Sequence, residues 1–289
     1  MLDTKTFDFR GGNALVEHTI LKDIAYERDS GGKLPKTYPV EAYELYDSVL
    51  GIISGKKGVT VKPQKLIVPE NSVKIFGRHD GASPLQNHKL NRHIGMFNLV
   101  TKEDSERSLG VAISSSERGI QIAFGTQVWA CANQCIFGEK YMSTYGPNSM
   151  PYDKILEVLK EYMNRFQDIK KAEEEVIGKM LDVEINSEQV TNLVGELYIQ
   201  ARKKLLAGGA SAMLTVTELG KITDAVIKVT EDNLLAEEGF FLNLWNFHDE
   251  VTRVLNPLHH ADPTNIMIQN SNFTTFILNR FEIDTTNLN

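Results

Sequence analysis

The feature that most constrains this chain is a change in hydrophobic period. Between about 94 and 132, apolar residues recur every second position. In RSLGVAISSS (107–116) the alternating set is Leu109, Val111 and Ile113. In GIQIAFGTQVWACA (119–132) it is Ile120, Ile122 and Phe124. IGMFNLVTK (94–102) is apolar through most of its first half. Period two is the mark of strands with one buried face. The connectors EDSE and SERG are short and polar. Such links join antiparallel neighbours, because parallel strands need a long crossover. After Pro151 the spacing becomes that of a helix. Ile155, Leu159, Tyr162, Phe166 and Ile169 step by four and three, and Val176 and Met180 continue the series. Glu173 takes the one place where an apolar residue is missing. This nearly heptad seam predicts one long helix over 152–180.

Other elements follow from local signals. VEAYELYDSVLGIIS (40–54) places Tyr43, Tyr46, Leu50 and Ile53 on one helical face, ended by Gly55. GVTVKPQKLIVPENSVKIFG (58–77) has short β-branched runs broken by Pro63 and Pro69, which predicts edge strands or strand ends. SEQVTNLVGELYIQARKKLL predicts a second helix, inward at Val190, Leu193, Leu197, Ala201 and Leu205. A third opens at Thr215, with Glu218 three residues on as a capping box. NLWNFHDEVTRVLN gives a fourth, closed before Pro257. MIQNSNFTTFILNRF (267–281) has no assignable state. The fold class expected is α+β: an N-terminal antiparallel β meander, then a long helix and a C-terminal helical region. Residues 1–150 form the β-rich region and 151–289 a mainly helical region packing on it, with a single domain as the alternative.

Composition sets outer bounds. Apolar residues make up 42% of the 289 and charged residues 24%, so a sizeable core can form unaided. Two cysteines cannot build a disulfide framework, which suits a reducing cytosol. No secretory signal and no membrane-spanning run is found. A cytoplasmic protein is therefore expected. The net charge of −7 argues globally against a non-specific nucleic-acid binder. Locally the sign reverses. Lys56, Lys57, Lys62, Lys65, Lys74, Arg78, Lys89 and Arg92 face only Glu70 and Asp80, a net of +6 within 56–93, so the remaining residues sum to −13. With Phe76 among them, these eight are candidate phosphate contacts, and Phe76 or Trp129 a candidate base-stacking ring. The competing explanation is a set of edge-strand lysines that block aggregation.

The cysteines sit in GTQVWACANQCIFGEK (125–140). Cys131 and Cys135 have no second cysteine pair to complete a zinc site, and their spacing is not that of a redox pair. Burial in the core is the favoured reading, with a metal or a reactive thiol as alternatives. Were 128–137 to start a helix, the two would share a face. A second cluster, His248, Asp249, Glu250, His259, His260 and Asp262, could surround a cation, or could be a polar helix end followed by a loop. No phosphate-binding loop, dinucleotide fingerprint or nucleophile elbow occurs, so no cofactor is expected.

VWACANQCIFG resembles the valine–cysteine–asparagine signature of the domain-of-unknown-function 932 family, proteins of phages, prophages and plasmids. LNLWNFHDEVTRVLN (242–256) is similar to that family's late W-x-x-x-N-x-V-T-E helix, but Asp249 stands where Asn is usual and Arg253 where Glu is usual. RHIGMFNLV and SLGVAISSSERG also look like its central strands. The resemblance implies a mobile-element protein, in a bacterial host's cytoplasm if phage-encoded, without established catalytic activity. It makes Trp129, Cys131, Asn133 and Cys135 a structural motif, with Asn133 tying the backbone at a strand-to-helix corner. The order of elements at 94–180 is also similar to the core of phage single-strand annealing recombinases, which bind DNA in a basic groove. The function expected is non-enzymatic nucleic-acid binding, with single-stranded DNA binding or annealing as its form. The alternatives are a phage anti-defence or host-takeover protein that binds a host protein or itself through the seam of 152–180, and a metal-dependent hydrolase using the histidine cluster.

Overall fold

The computed structural model describes residues 8–10, 13–16, 21, 30–34, 39–63, 66–69, 93–104, 107–116, 119–128, 133–135, 141–144, 149–206, 214–224, 241–255 and 263–285. The fold is α+β. Among the described residues, nine strands form one antiparallel sheet: β1 (Asp8–Arg10), β2 (Asn13–Val16), β3 (Thr60–Pro63), β4 (Leu66–Pro69), β5 (His93–Val100), β6 (Arg107–Ser116), β7 (Gly119–Val128), β8 (Asn133–Cys135) and β9 (Tyr141–Ser143). The spatial order is β1-β2-β4-β5-β6-β7-β8, with β3 also on β5 and β9 also on β7. A second, two-stranded sheet pairs β10 (Glu184–Asn186) with β11 (Phe241–Asn243). The helices are α1 (Ala42–Ser54), α2 (Tyr152–Asn164), α3 (Phe166–Asp182), α4 (Ser187–Leu206), α5 (216–224), α6 (Leu244–Val254) and α7 (Pro263–Arg280). Among the described residues, no helix is long and apolar enough to cross a membrane.

The central meander is the one expected from period two. Cross-strand register aligns Phe97, Val111 and Phe124 in one row, and Leu99, Leu109 and Thr126 in the next. The apolar members of these rows, with Ile113, Ile120 and Ile122, are buried in one cluster. Helices α1 and α2 and the first turn of α3 cover that face with Leu45, Tyr46, Val49, Ile155, Leu159, Phe166 and Ile169. Tyr46 lies over Gly95, where an added Cβ would run into its ring. Its hydroxyl donates to the Ile113 carbonyl oxygen at 3.3 Å. Glycine at 95 is thus a packing requirement: the strand gives up a side chain to admit the ring. Pro63 and Pro69 close β3 and β4, as proline should.

The long helix is two helices, interrupted at Arg165. At the interruption, Lys56 Nζ donates to the Asn164 carbonyl oxygen at 3.1 Å. A cation thereby satisfies one carbonyl of the α2 end. The seam is spent inside the chain. Ile155, Leu159, Phe166 and Ile169 belong to the first cluster, and Val176 and Met180 to a second. The second cluster also takes Val190, Leu193, Leu197 and Ala201 of α4, Trp245, Phe247 and Val251 of α6, and Phe273 and Ile277 of α7. Self-association through this seam, or its use for a host protein, therefore lacks an exposed surface: its apolar side chains are 4% exposed or less, apart from half-buried Tyr162, which packs against the first cluster.

Helix α7 lies in the stretch that sequence left unassigned. It packs against β5, β6 and β8, and its Phe273, Ile277 and Leu278 enter the second cluster. Thr215 and Glu218 form the expected capping box: Glu218 N–H donates to Thr215 Oγ1 at 3.2 Å, and Thr215 N–H to Glu218 Oε2 at 2.6 Å.

Candidate functional site

Of the eight basic candidates, Lys56, Lys57 and Lys62 fall among the described residues; Lys65, Lys74, Arg78, Lys89 and Arg92 lie outside them. Lys56 and Lys57 occupy the turn after α1, and Lys57 and Lys62 are exposed. Lys56 is half-buried and committed to the end of α2. Register shows what connects these positions. Thr60 stands opposite Val100 and Pro63 opposite Phe97, while Ile67 stands opposite Ile94. Strands β3 and β4 therefore share one edge of β5, one after the other. Thr60–Pro63 pairs with Phe97–Val100 and Ile67 with Ile94, so β3 and β4 together lie beside most of the eight-residue β5.

The cysteine motif is corrected in one respect. Asn133–Cys135 are a strand, not the start of a helix. Thr126 pairs with Cys135 and Val128 with Asn133, so β8 is an antiparallel neighbour of β7. A strand-to-helix corner is not formed at Asn133. Trp129 and Cys131 lie outside the described residues.

The histidine cluster is not brought to a surface by His248. That ring is fully buried, stacked between Trp245 (5.7 Å between centroids) and Phe273 (5.5 Å). Its Nε2 is hydrogen-bonded to Thr274 Oγ1 at 2.9 Å. Burial pushes its pKa down to about 3, so the ring is neutral. His259 and His260 lie outside the described residues. Asp249 and Arg253, the two departures from the resembled pattern, are ion-paired at 3.1 Å one turn apart, and Arg253 also meets Glu250 at 3.0 Å. Each departure thus supplies the partner of the other.

A site that the sequence did not announce lies where the two hydrophobic clusters meet. A cavity of about 190 Å³ opens there, lined by Glu103, Asp104, Arg107, Ser108, Leu109, Thr126, Lys170, Glu174 and Ile177. Leu109 belongs to the first cluster and Ile177 to the second. Three elements converge: the β5–β6 turn, the facing ends of β6 and β7, and the middle of α3. Lys170 Nζ sits 2.9 Å from Asp104 Oδ1 and donates to Thr101 Oγ1 at 3.0 Å. The other Asp104 oxygen accepts from the Thr101 N–H. Glu173, the charged residue in the seam, is buried and accepts from Thr126 Oγ1. The Arg107 guanidinium lies over the Trp245 ring, 5.4 Å from its centroid. The lining residues are scattered from 103 to 177, and the seam carboxylate Glu173 meets the site only through Thr126.

Among the described residues, no group of three or more His, Cys, Asp or Glu is placed to hold a metal ion. Compared with protein-family models, curated proteins and solved structures, the chain finds no match.

Proposed function

We propose that this is a mobile-element protein, of the phage or plasmid type, that binds single-stranded nucleic acid in a bacterial cytoplasm by positioning rather than by bond chemistry. The observation that carries the reading is the register of β3 and β4 along β5. Of the basic segment, Lys57 lies just before β3 and Lys62 on it, and among the described residues β3 pairs with β5 alone. Lys57 and Lys62 are exposed there. Strand β3, about 13 Å for its four residues, has room for a short run of nucleotides, with the lysines neutralising phosphates. The strongly acidic remainder of the chain would keep a polyanion to that edge.

The test is fluorescence anisotropy with a labelled single-stranded DNA oligomer, titrated across salt. Beside the wild type stand Lys57→Glu/Lys62→Glu and Lys74→Glu/Arg78→Glu. Binding that weakens with salt is expected, with a log–log slope reduced by about 1.4 in a variant that loses two phosphate contacts. Absence of binding at low salt, or unchanged binding by both variants, would overturn the proposal.

A further inference from the structure

We infer that this chain forms a two-fold dimer in which the exposed face of α4 packs antiparallel on the same face of a second copy. Among the described residues, four large apolar side chains are exposed: Leu181, Tyr198, Ile199 and Val216. Tyr198 and Ile199, at 44% and 53%, are neighbours on α4. They stand opposite Val190, Leu193, Leu197 and Ala201, which enter the second cluster. Glu188, Thr191, Asn192 and Arg202 are exposed on the same side of the helix as Tyr198 and Ile199. Glu188, Gly195 and Arg202 recur every seven residues, with Thr191 and Tyr198 between them. That is the spacing of a seam along which one helix packs on another.

Gly195 marks the point of closest approach. Glycine inside a helix is destabilising relative to alanine. Nothing among the described residues requires it here, since a Cβ at 195 would meet no atom within 4 Å. Gly95 is the contrast, its space being taken by Tyr46. Gly51, Gly178 and Gly220 are as open as Gly195, but each has at most one exposed large apolar side chain within a helical turn, whereas Gly195 has two.

Charge selects a second copy as the occupant. A two-fold axis through Gly195 sets 188 opposite 202, 191 opposite 199 and 192 opposite 198. Glu188 then meets Arg202 of the partner subunit, and the symmetry makes the same pair at the other end of the stripe. No other axis along α4 brings these two charges together. Glu196, beside the stripe, is held within the chain by Arg280 at 3.5 Å. Ile199 packs on Thr191 of the partner subunit. From 188 to 202 the stripe is about 21 Å long. One helix face of that length lies at the small end of specific interfaces, so the dimer is weak.

The experiment is sedimentation equilibrium of the full chain over about 1–200 μM. A reversible dimer is expected, with a dissociation constant in roughly the micromolar range. Ile199→Glu should weaken it at least about tenfold. Glu188→Arg and Arg202→Glu each set like charges together at both ends, and each should weaken it at least about fivefold. Glu188→Arg/Arg202→Glu restores opposite charges and should return to within about threefold of the wild type. Gly195→Leu should raise the thermal midpoint of the monomer, because leucine favours the helix, yet weaken the dimer. Damage to the fold would not give that combination. A monomer throughout the concentration range would overturn the inference. So would a dimer that Ile199→Glu leaves intact, single reversals without effect, or a double reversal no stronger than the single ones.

Discussion

Lys170 and Asp104, 66 positions apart in the chain, form an ion pair at 2.9 Å that is almost closed to solvent. The pair joins the middle of α3 to the β5–β6 turn, and Thr101 completes it by accepting from Lys170 and donating to Asp104. Removing Asp104 leaves Lys170, 10% exposed, with only the longer ion-pair contacts to Glu103 and Glu174 at 3.8 and 3.9 Å, a loss of about 1–3 kcal/mol. Asp104→Ala should therefore lower the unfolding free energy from urea titration by that much. Asp104→Ala/Lys170→Met, which removes both charges, should recover most of the loss. A double variant that loses the sum of the Asp104→Ala and Lys170→Met losses would show that the pair is not coupled.

Gly95 has no room for even a methyl group, because Tyr46 fills the space above it. Gly95→Ala should destabilise by about 1–3 kcal/mol through overpacking. Tyr46→Leu should relieve part of that cost in the double variant, since the aromatic ring is what the new methyl meets. Thermal unfolding of the four proteins in a double-mutant cycle measures the coupling.

His248 makes stability depend on pH. Its folded pKa of about 3 lies below the ordinary 6.5, so between these values the unfolded chain binds a proton that the folded chain does not. Stability from this group is fully present above about pH 6.5 and is lost as pH falls toward 3. The expected slope is about 1.4 kcal/mol per pH unit in the middle of that window. His248→Gln, which cannot titrate, should flatten this component. Urea midpoints at pH 4.5, 5.5 and 7.5 for both proteins give the comparison.

Thr215 caps α5 through its hydroxyl, which accepts from the Glu218 N–H. Thr215→Ala should cost about 1 kcal/mol and Thr215→Ser much less. Chemical denaturation of the three proteins checks this.

The elements that sequence placed well are those in which local pattern and tertiary burial agree. Leu109, Val111 and Ile113 alternate in the chain and lie on one face of β6. Ser187–Leu206 is the helix that SEQVTNLVGELYIQARKKLL predicts. The misplaced or missing elements are those that depend on distant partners. The interruption at Arg165 has no proline or glycine to announce it; there Asn164 meets Lys56, which is 108 residues away. Helix α7 is rich in Asn, Thr, Ser and Gln, which are weak helix formers. It is held by Phe273 and Ile277 in the second cluster and by Thr274 against His248. The cavity was hidden for the same reason, since Arg107, Thr126 and Lys170 become neighbours only after the meander and α3 are assembled.

The packing of α7 on β5, β6 and β8 has a consequence for synthesis. The last strand of the large sheet ends at Ser143, whereas α7 ends at Arg280. At about 5–20 residues per second, a ribosome needs roughly 7–27 s to make the intervening chain. Throughout that interval the nascent sheet lacks a helix that it contacts in the finished fold. A trigger-type or holding chaperone has its natural window there. Slow codons placed between the end of the meander and α7 would lengthen the exposure and lower the yield of folded protein.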